Sequence, residues 1–246
     1  MVTKTVVVTG ASAGIGRACA LRMLDAGWSV VLLARRRAEL EQVAADNPRA
    51  LPIACDVSDA SAVDSAFAAA RQRFGRIDVL FNNAGVFAPA APIDEVPLDD
   101  WYQSVAVNLN GMFLCARAAF GQMRRQAPQG GRIINNGSIS AHAPRPGSVC
   151  YTTTKHAITG LTKTLALDGR PFGIACGQID IGNARTELLE GHVARLLAAD
   201  PDAEVPPMID VDLVADAVLR MAELPPEANV LFQTLMATTM PYVGRG

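Results

Sequence analysis

Short apolar runs alternate with helix-like stretches along almost the whole chain. The apolar runs are rich in valine, isoleucine and leucine, and their lengths are typical of buried strands. Strands are predicted at residues 5–9, 30–33, 51–55, 77–81, 132–136, 173–179 and 230–235. Helices are predicted at residues 17–26, 36–46, 60–74, 101–126, 148–168 and 210–224. This alternation predicts an α/β fold, with a parallel sheet that helices cover on both faces.

One domain accounts for the whole sequence. The chain has 246 residues, of which 50% are hydrophobic, and it shows no internal repeat or linker. This size suits a single α/β domain over residues 1–246 better than two small domains. Residues 182–207 lack clear periodicity and contain three prolines. We expect this segment to be a mobile loop on the substrate side of the domain.

Charge, cysteine and hydropathy patterns argue against several classes of protein. The net charge is −2, so no overall field favours nucleic acid or an acidic membrane surface. No apolar stretch is long enough to span a bilayer, and the start of the chain does not resemble a signal peptide. The five cysteines are scattered and the three histidines form no ligand pair. We therefore expect a cytoplasmic protein with reduced thiols and no metal site.

A glycine-rich turn directly follows the first predicted strand. The sequence is Thr-Gly-x-x-x-Gly-x-Gly, with glycines at 10, 14 and 16, and a helix is predicted to follow. Glycines allow a ligand close to the backbone, and the helix N-terminus offers free N–H groups to a phosphate. A glycine-rich turn without a ligand is the alternative. The strand–helix alternation that follows favours a dinucleotide site.

Two arginines follow the second predicted strand, where an NAD site usually places an acidic residue that binds the ribose hydroxyls. Arg35 and Arg36 instead offer guanidinium groups that match a 2′-phosphate. A solvated basic start to the next helix is the other interpretation, and it suits Arg37 and also Arg36. For Arg35 we favour phosphate contact, which predicts NADP(H) rather than NAD.

Tyr151 and Lys155 lie four residues apart, on one face of a predicted helix. A phenol is a weak base at neutral pH, and a lysine ammonium one turn away would lower its pKa. The pair can donate a proton to a carbonyl oxygen or accept one from an alcohol. Most pairs with this spacing are ordinary surface residues, so the interpretation depends on the rest of the chain.

Taken in order, the motifs resemble those of the short-chain dehydrogenases/reductases of the classical type. They are the glycine turn, Asn82-Asn83-Ala84-Gly85, Asn108, Ser138 and Tyr151-x-x-x-Lys155, and they cover essentially the whole chain. The resemblance implies a Rossmann-type, doubly wound domain with a seven-stranded parallel sheet. It also implies hydride transfer with NAD(P)(H) and a homotetramer or dimer.

The resemblance assigns catalytic roles to four residues. Tyr151 would be the general acid or base, and Lys155 would lower its pKa and hold the nicotinamide ribose. Ser138 would hydrogen-bond the substrate oxygen, and Asn108 would anchor a water that links Lys155 to solvent. Two donors at the oxygen also make physical sense, because negative charge develops there. The alternatives are a serine that caps its own backbone and an ordinary helical asparagine.

The resemblance also implies a set of cofactor-binding residues. Asp56 and Val57 match the adenine contacts, and Thr186 would lie near the nicotinamide carboxamide. With the arginines and the catalytic pair, the expected set is Gly10, Ser12, Ala13, Gly14, Ile15, Gly16, Arg35, Arg36, Asp56, Val57, Asn82, Ala84, Gly85, Tyr151, Lys155, Gly182 and Thr186.

Further features bear on the substrate side and on assembly. Ile181 replaces the proline that the family usually has before Gly182, which restores a backbone N–H donor. Residues 87–92 and 142–149 are expected at the rim of the substrate pocket. His142 faces either the substrate or solvent. The tail at residues 241–245 is a candidate subunit interface.

The sequence therefore predicts an NADP(H)-dependent oxidoreductase that interconverts a small-molecule carbonyl and a secondary alcohol. A reductase of 3-oxoacyl groups on a carrier protein is one alternative. A non-catalytic NADP(H)-binding sensor or scaffold of the same fold is another, and its usual sign would be loss of the tyrosine or the lysine.

Overall fold

The computed structural model describes residues 3–200 and 203–243. The strands are β1 (Thr5–Thr9), β2 (Ser29–Ala34), β3 (Ala50–Ala54), β4 (Val79–Asn82), β5 (Gly131–Asn136), β6 (Ile174–Ile181) and β7 (Phe232–Leu235). The helices are α1 (Gly14–Asp25), α2 (Arg37–Ala44), α3 (Ala60–Phe74), α4 (Leu98–Ser104), α5 (Met112–Arg125), α6 (Val149–Gly169), α7 (Glu187–Ala199) and α8 (Val211–Glu223). A π-helical segment, Val105–Gly111, joins α4 to α5, and two 3-10 turns, Ile139–Ala141 and Arg170–Phe172, flank α6.

These strands form one sheet in the order β3-β2-β1-β4-β5-β6-β7, and every neighbouring pair is parallel. The predicted seven-stranded parallel sheet is therefore confirmed. The chain extends the sheet from β1 to β3 in one direction and then returns to place β4 on the other side of β1. In open parallel sheets, ligands bind beyond the carboxyl ends of the strands at such a reversal.

Helices cover both faces of the sheet because the central strands are apolar on both faces. In β1, Val6 and Val8 pack on one face with α1, α2 and α8. Val7 packs on the opposite face with α3 and α5. All three side chains are fully buried. An unbroken β-branched run, rather than an alternating one, is what a doubly covered parallel strand requires.

The helix predicted at residues 101–126 is present, but it is longer and less regular than expected. It begins at Leu98, because Pro97 occupies the cap position and two aspartates lie in the first turn. It then passes through the π-helical segment before it continues as α5. Periodicity alone did not predict this widened turn, which contains the candidate residue Asn108.

The prediction that residues 182–207 form a loop is wrong for half of the segment, because α7 lies within it. The leucine pairs at 188–189 and 196–197 are two helical turns apart, which is a spacing typical of a helix. The prolines that follow in the same segment led us to predict a loop instead. Pro201 lies outside the described residues. That the segment faces the substrate remains a prediction.

Several structural features relate to protein class. Among the described helices, none is both long and apolar enough to cross a membrane. Within residues 3–200 and 203–243, no three histidine, cysteine or acidic side chains are grouped so as to hold a metal ion. All five cysteines are buried free thiols.

Candidate active site

The glycine turn lies between β1 and α1, at the reversal point of the sheet. Gly10 and Gly14 have positive φ angles of 68° and 52°, which glycine adopts at little cost. A Cβ on Gly16 would lie 2.2 Å from the Gly10 carbonyl oxygen, so no side chain fits there. Ala13 caps α1 without a side-chain hydrogen bond. The first N–H groups of α1 are therefore available to an anion.

The segment after β4 is tied to the end of β1. Thr9 Oγ1 accepts hydrogen bonds from the backbone N–H groups of Asn83, at 2.8 Å, and Ala84, at 2.9 Å. Asn83 Nδ2 donates to the Thr9 carbonyl at 2.9 Å. Asn82 instead points into the core, where its Nδ2 donates to the Met112 carbonyl at 2.8 Å. The side chain of Asn83, absent from our predicted set, is therefore the one that reaches the glycine turn.

A chain of hydrogen bonds leads from the glycine turn to Lys155. Asn83 Oδ1 accepts from Asn136 Nδ2 at 2.8 Å, and the Asn136 carbonyl accepts from Lys155 Nζ at 2.6 Å. The buried Asn136 Oδ1 has no hydrogen-bond partner within the described residues. The cradle at Gly16 and this unpaired oxygen fit a nicotinamide dinucleotide that runs from the glycine turn towards Lys155.

A small cavity lined by both arginines and glutamates adjoins the glycine turn at the end of β2. Its volume is about 180 Å³, and Ser12, Arg17, Arg36, Glu39 and Glu187 are among the residues that line it. Arg36 Nη1 lies 3.3 Å from the Glu39 carboxylate. Arg36 Nη2 donates to Ser12 Oγ at 3.0 Å. Arg17 was absent from our predictions, although its place directly after Gly16 is a signal that could have identified it.

The other residues expected to contact the adenine half of the dinucleotide follow the ends of β2 and β3. Arg35 is exposed, and its positive charge contributes to a lowered pKa of Asp56, after the larger effect of two hydrogen bonds from Ser58. Asp56 Oδ1 accepts those bonds at 2.9 Å from the Ser58 N–H and at 2.7 Å from its hydroxyl. Val57 is buried, and Ile15 packs against the core on the α1 side. The charge of Arg35 is therefore close to Asp56, whereas Arg36 contacts the glycine turn.

Tyr151 and Lys155 lie one turn apart at the start of α6, beside Ser138 at the end of β5. Lys155 is buried, and its Nζ is 5.5 Å from the centre of the Tyr151 ring. The Ser138 side chain is close enough to the Tyr151 phenol to lower its pKa. Ser138 Oγ also accepts from the Ser140 N–H at 3.0 Å, which is the backbone cap that we considered as the alternative. The structure thus brings the three predicted residues together, and the cap does not exclude the contact with Tyr151.

The pKa of Tyr151 moves in the opposite direction from our expectation. Burial raises it to about 12, while the Ser138 hydrogen bond and the charge of Arg145 lower it and Asp180 raises it. Burial also lowers the pKa of Lys155 to about 8, against a smaller raising effect of Asp180. The expectation of a lowered tyrosine pKa is therefore wrong, because desolvation by burial outweighs the effects of Ser138 and Arg145 that favour the phenolate.

Asn108 lies in the π-helical segment and is fully buried. Its Oδ1 accepts from the Val86 N–H at 2.7 Å, and its Nδ2 donates to the Val86 carbonyl at 2.9 Å and to Thr154 Oγ1 at 3.4 Å. A Cβ on Gly85 would lie 3.3 Å from Asn108 Oδ1. The side chain thus joins the loop after β4 to α6, and the proton relay remains a prediction.

Ile181, at the usual proline position, is the last residue of β6. It pairs with Leu235 of β7, and the following Gly182 N–H donates to the Leu235 carbonyl at 2.8 Å. Further along, Thr186 packs against the glycine turn, because a Cβ on Gly14 would lie 3.3 Å from Thr186 Cγ2. The segment after β6 therefore reaches the glycine turn, and the place of Thr186 near the nicotinamide carboxamide remains a prediction.

An aromatic side chain that we did not predict individually covers the tyrosine. Phe87 stacks on Tyr151 with ring centres 4.3 Å apart and an interplanar angle of 20°. The Ala91 N–H donates to the Gly147 carbonyl at 3.1 Å. The two predicted rim segments, residues 87–92 and 142–149, therefore meet beside the candidate catalytic tyrosine.

A buried carboxylate at the end of β6 was also missed. Asp180 is fully buried, and its Oδ1 accepts from the Ser138 N–H at 2.9 Å. His142 Nε2 lies 2.8 Å from Asp180 Oδ2. His142 is thus held by the protein while 39% of its side chain is exposed. The sequence signal was a lone acidic residue inside an apolar strand.

Comparison with known proteins places these observations in a family. The sequence model described as short chain dehydrogenase matches residues 4–195. A 3beta-hydroxysteroid dehydrogenase from Mediterraneibacter gnavus is 36% identical over 191 residues, which is 76% of this chain and 68% of the relative.

Solved structures are similar over almost the entire chain. A 3-ketoacyl-(acyl-carrier-protein) reductase from Brucella melitensis, complexed with NADH, has a TM-score of 0.85 and 28% identity over 95% of this chain and 96% of its own. ElxO with NADP bound has a TM-score of 0.85 and 26% identity over 95% of this chain and 97% of its own.

Proposed function

The chain belongs to the short-chain dehydrogenase family, and on that premise we propose that it is an NADP(H)-dependent oxidoreductase that interconverts a carbonyl and a secondary alcohol. The observation that carries the proposal is the hydrogen-bonded path from the glycine turn through Asn83 and Asn136 to Lys155. This path joins the glycine turn, where a dinucleotide would bind, to the candidate acid–base residues at the same edge of the sheet.

Residues along this path would hold the cofactor. The N-terminus of α1 would bind the pyrophosphate, and Lys155 would bind the nicotinamide ribose. Asn136 Oδ1, which has no hydrogen-bond partner within the described residues, is free to accept one from the ligand. When bound, the reduced nicotinamide supplies the hydride for the carbonyl carbon.

Ser138 and Tyr151 would act on the substrate oxygen. As the carbon accepts a hydride, negative charge develops on the oxygen, where both hydroxyls can donate hydrogen bonds. Tyr151 then transfers its phenolic proton to that oxygen, which completes the alcohol. A tyrosine pKa of about 12 keeps the phenol protonated at neutral pH, as a proton donor in carbonyl reduction must be.

The preference for NADP(H) is supported by the arginines beside the glycine turn. Arg17 and Arg36 line the cavity there together with Glu39 and Glu187, and Arg35 lies at the same end of β2. A guanidinium group can hydrogen-bond two terminal oxygens of a 2′-phosphate. In addition, no acidic residue among the described residues directly follows β2, where the ribose hydroxyls of NAD would be bound. One solved relative has NADP bound, whereas another has NADH, so the arginines carry this choice.

The test is NADPH consumption with a panel of ketones and aldehydes, with Tyr151→Phe as the variant. We expect wild-type turnover and a loss of at least about 100-fold in the variant, with NADPH affinity nearly unchanged. Tyr102→Phe is the matched control, because Tyr102 is 61% exposed on α4. Normal turnover by Tyr151→Phe would refute the mechanism. Tight NADPH binding with no turnover of any substrate would favour a non-catalytic sensor.

We also propose that the protein is a homo-oligomer, a dimer or a tetramer. Phe113 on α5 and Leu167 on α6 are 51% and 58% exposed. Both border a groove of about 970 Å³ between α3, α5 and α6, which a second copy would cover. The tail is a further candidate interface: Val243 is exposed, while residues 244 and 245 lie outside the described part of the chain.

Light scattering with Phe113→Asp tests the oligomer. We expect a dimer or tetramer for the wild-type protein and dissociation in the variant, because a buried unpaired charge destabilises an interface. Leu98→Asp, at a 67% exposed position of α4, is the matched control. A wild-type monomer at micromolar concentration would refute the proposal.

The five reduced thiols support a reducing compartment, and we propose the cytoplasm.

A further inference from the structure

The carboxylate of Asp180 is buried behind the active site and accepts three hydrogen bonds. Its Oδ1 accepts from the Ser138 N–H at 2.9 Å and from Gln178 Nε2 at 2.7 Å. Its Oδ2 accepts from His142 Nε2 at 2.8 Å. A buried carboxylate is costly unless it is paired in this way. Of the three donors, only the His142 side chain can carry a positive charge.

The surrounding residues leave space for this carboxylate and fix its orientation. A Cβ on Gly137 would lie 2.0 Å from Asp180 Oδ1, so the carboxylate occupies the space that a side chain at 137 would fill. Gln178, which holds Oδ1, is itself fixed: its Oε1 accepts from Thr162 Oγ1 at 3.0 Å, and Thr162 Oγ1 accepts from Asn135 Nδ2 at 2.9 Å. The orientation of Asp180 is therefore set from inside the sheet and not by solvent.

Among the described residues, Asp180 is the fully buried acidic side chain, and its charge acts on the proposed proton donor Tyr151. It also holds the backbone of Ser138, whose side chain is beside Tyr151. The other charged or titratable groups around this centre are Lys155 on α6, and His142 and Arg145 on the segment before it. A fixed negative charge here opposes formation of a phenolate, because like charges repel most strongly where water is excluded.

We propose that Asp180 is a positioning residue: its carboxylate clamps the Ser138 backbone to the His142 ring, and its charge holds the Tyr151 proton in place. Only the catalytic consequence of this proposal rests on the proposed function. Loss of the negative charge makes Tyr151 easier to ionise. His142 keeps the carboxylate paired and closes the clamp on the exposed side.

Asp180→Asn separates charge from geometry. The amide oxygen can still accept from Ser138 and Gln178, and the amide nitrogen can donate to the Nε2 of a neutral His142. In alcohol oxidation the rate rises with pH as Tyr151 loses its proton. We therefore expect the rising limb of the kcat/KM profile to move to lower pH, by at least about half a pH unit.

Two further variants sharpen the assay. Asp168→Asn removes a carboxylate at an exposed position near the end of α6, and its profile should match the wild type. His142→Gln keeps a hydrogen-bond donor to Asp180 and leaves the negative charge of Asp180 in place. The rising limb of its kcat/KM profile should therefore not move to lower pH. A profile of Asp180→Asn that loses rate without shifting, or that shifts to higher pH, would overturn the proposal. An equal downward shift in His142→Gln would also overturn it.

Nuclear magnetic resonance of the imidazole nitrogens tests the clamp without substrate or cofactor. Because a carboxylate only accepts hydrogen bonds, the His142 Nε2 must carry the proton. The chain has only three histidines, and the signals can be assigned with His142→Gln and His156→Gln. We expect the Nε2–H form in the wild type and transfer of that proton to Nδ1 in Asp180→Asn. The same tautomer in both would refute the clamp, even in a protein with no measurable turnover.

Discussion

Replacing Lys155 by methionine should make the protein more stable while it removes activity. The lysine side chain is 3% exposed, and its pKa falls from 10.5 to about 8 on folding. Below about pH 8 the ammonium is charged in both the folded and the unfolded chain, so the full cost of burying the charge is present. Methionine has similar length and no charge.

The pKa shift sets an upper bound on the gain. A fall from 10.5 to about 8 corresponds to about 3 kcal/mol. The variant also loses the hydrogen bond from Nζ to the Asn136 carbonyl, which leaves a buried acceptor and costs about 1–2 kcal/mol. We therefore expect a net gain of about 1–2 kcal/mol at pH 7, or a Tm higher by about 2–8 °C for a chain of this size.

The pH dependence identifies the cause. Between about pH 8 and 10.5 the folded lysine is neutral while the unfolded lysine is still protonated, so the wild-type protein recovers stability as the pH rises. The advantage of the variant should therefore shrink across that window in thermal or urea unfolding. Lys163→Met, at an exposed position of the same helix, is the control. A variant less stable than the wild type at pH 7, or an advantage that grows above pH 8, would refute the reasoning.

Three further predictions test the cofactor site and the fold. Arg36→Ala should raise the Michaelis constant for NADPH at least about tenfold more than that for NADH in a spectrophotometric assay, because a charge-assisted phosphate contact is lost; equal effects would contradict the assignment of the 2′-phosphate site. Gly16→Ala should abolish NADPH binding in a fluorescence titration, since its Cβ would lie 2.2 Å from the Gly10 oxygen, whereas Gly160→Ala, in open space on α6, should raise the unfolding free energy by about 0.5–1 kcal/mol. Asp59→Ala should lower the unfolding free energy by about 1 kcal/mol in urea, because Asp59 Oδ1 caps α3 with bonds of 2.8 and 3.2 Å.

The parts of the structure that follow from local pattern were predictable. Doubly buried strands such as β1 need unbroken apolar runs, and these are visible in the sequence. The ordered motifs identified the family and the residues that meet at the site. Ser138, Tyr151 and Lys155 come from the end of β5 and the start of α6, and the structure brings them together.

The features that sequence reasoning missed depend on contacts between distant parts of the chain. The pKa of Tyr151 reflects its burial, and Phe87 stacks on its ring; a helical spacing of four residues reports neither. Asp180 joins His142 across 38 positions, so neither residue alone indicated the pair. The π-helical turn at Asn108 is set by bonds to the loop after β4, and a periodic pattern does not reveal it.

Transfer of deuterium from NADPH labelled at C4 of the nicotinamide ring tests the central claim most directly. With a ketone from the panel, we expect the wild-type protein to place deuterium on the carbinol carbon, as detected by mass spectrometry. Tyr151→Phe should bind the labelled cofactor and transfer almost none. A wild-type protein that binds NADPH tightly and gives no labelled alcohol from any ketone or aldehyde would contradict the account.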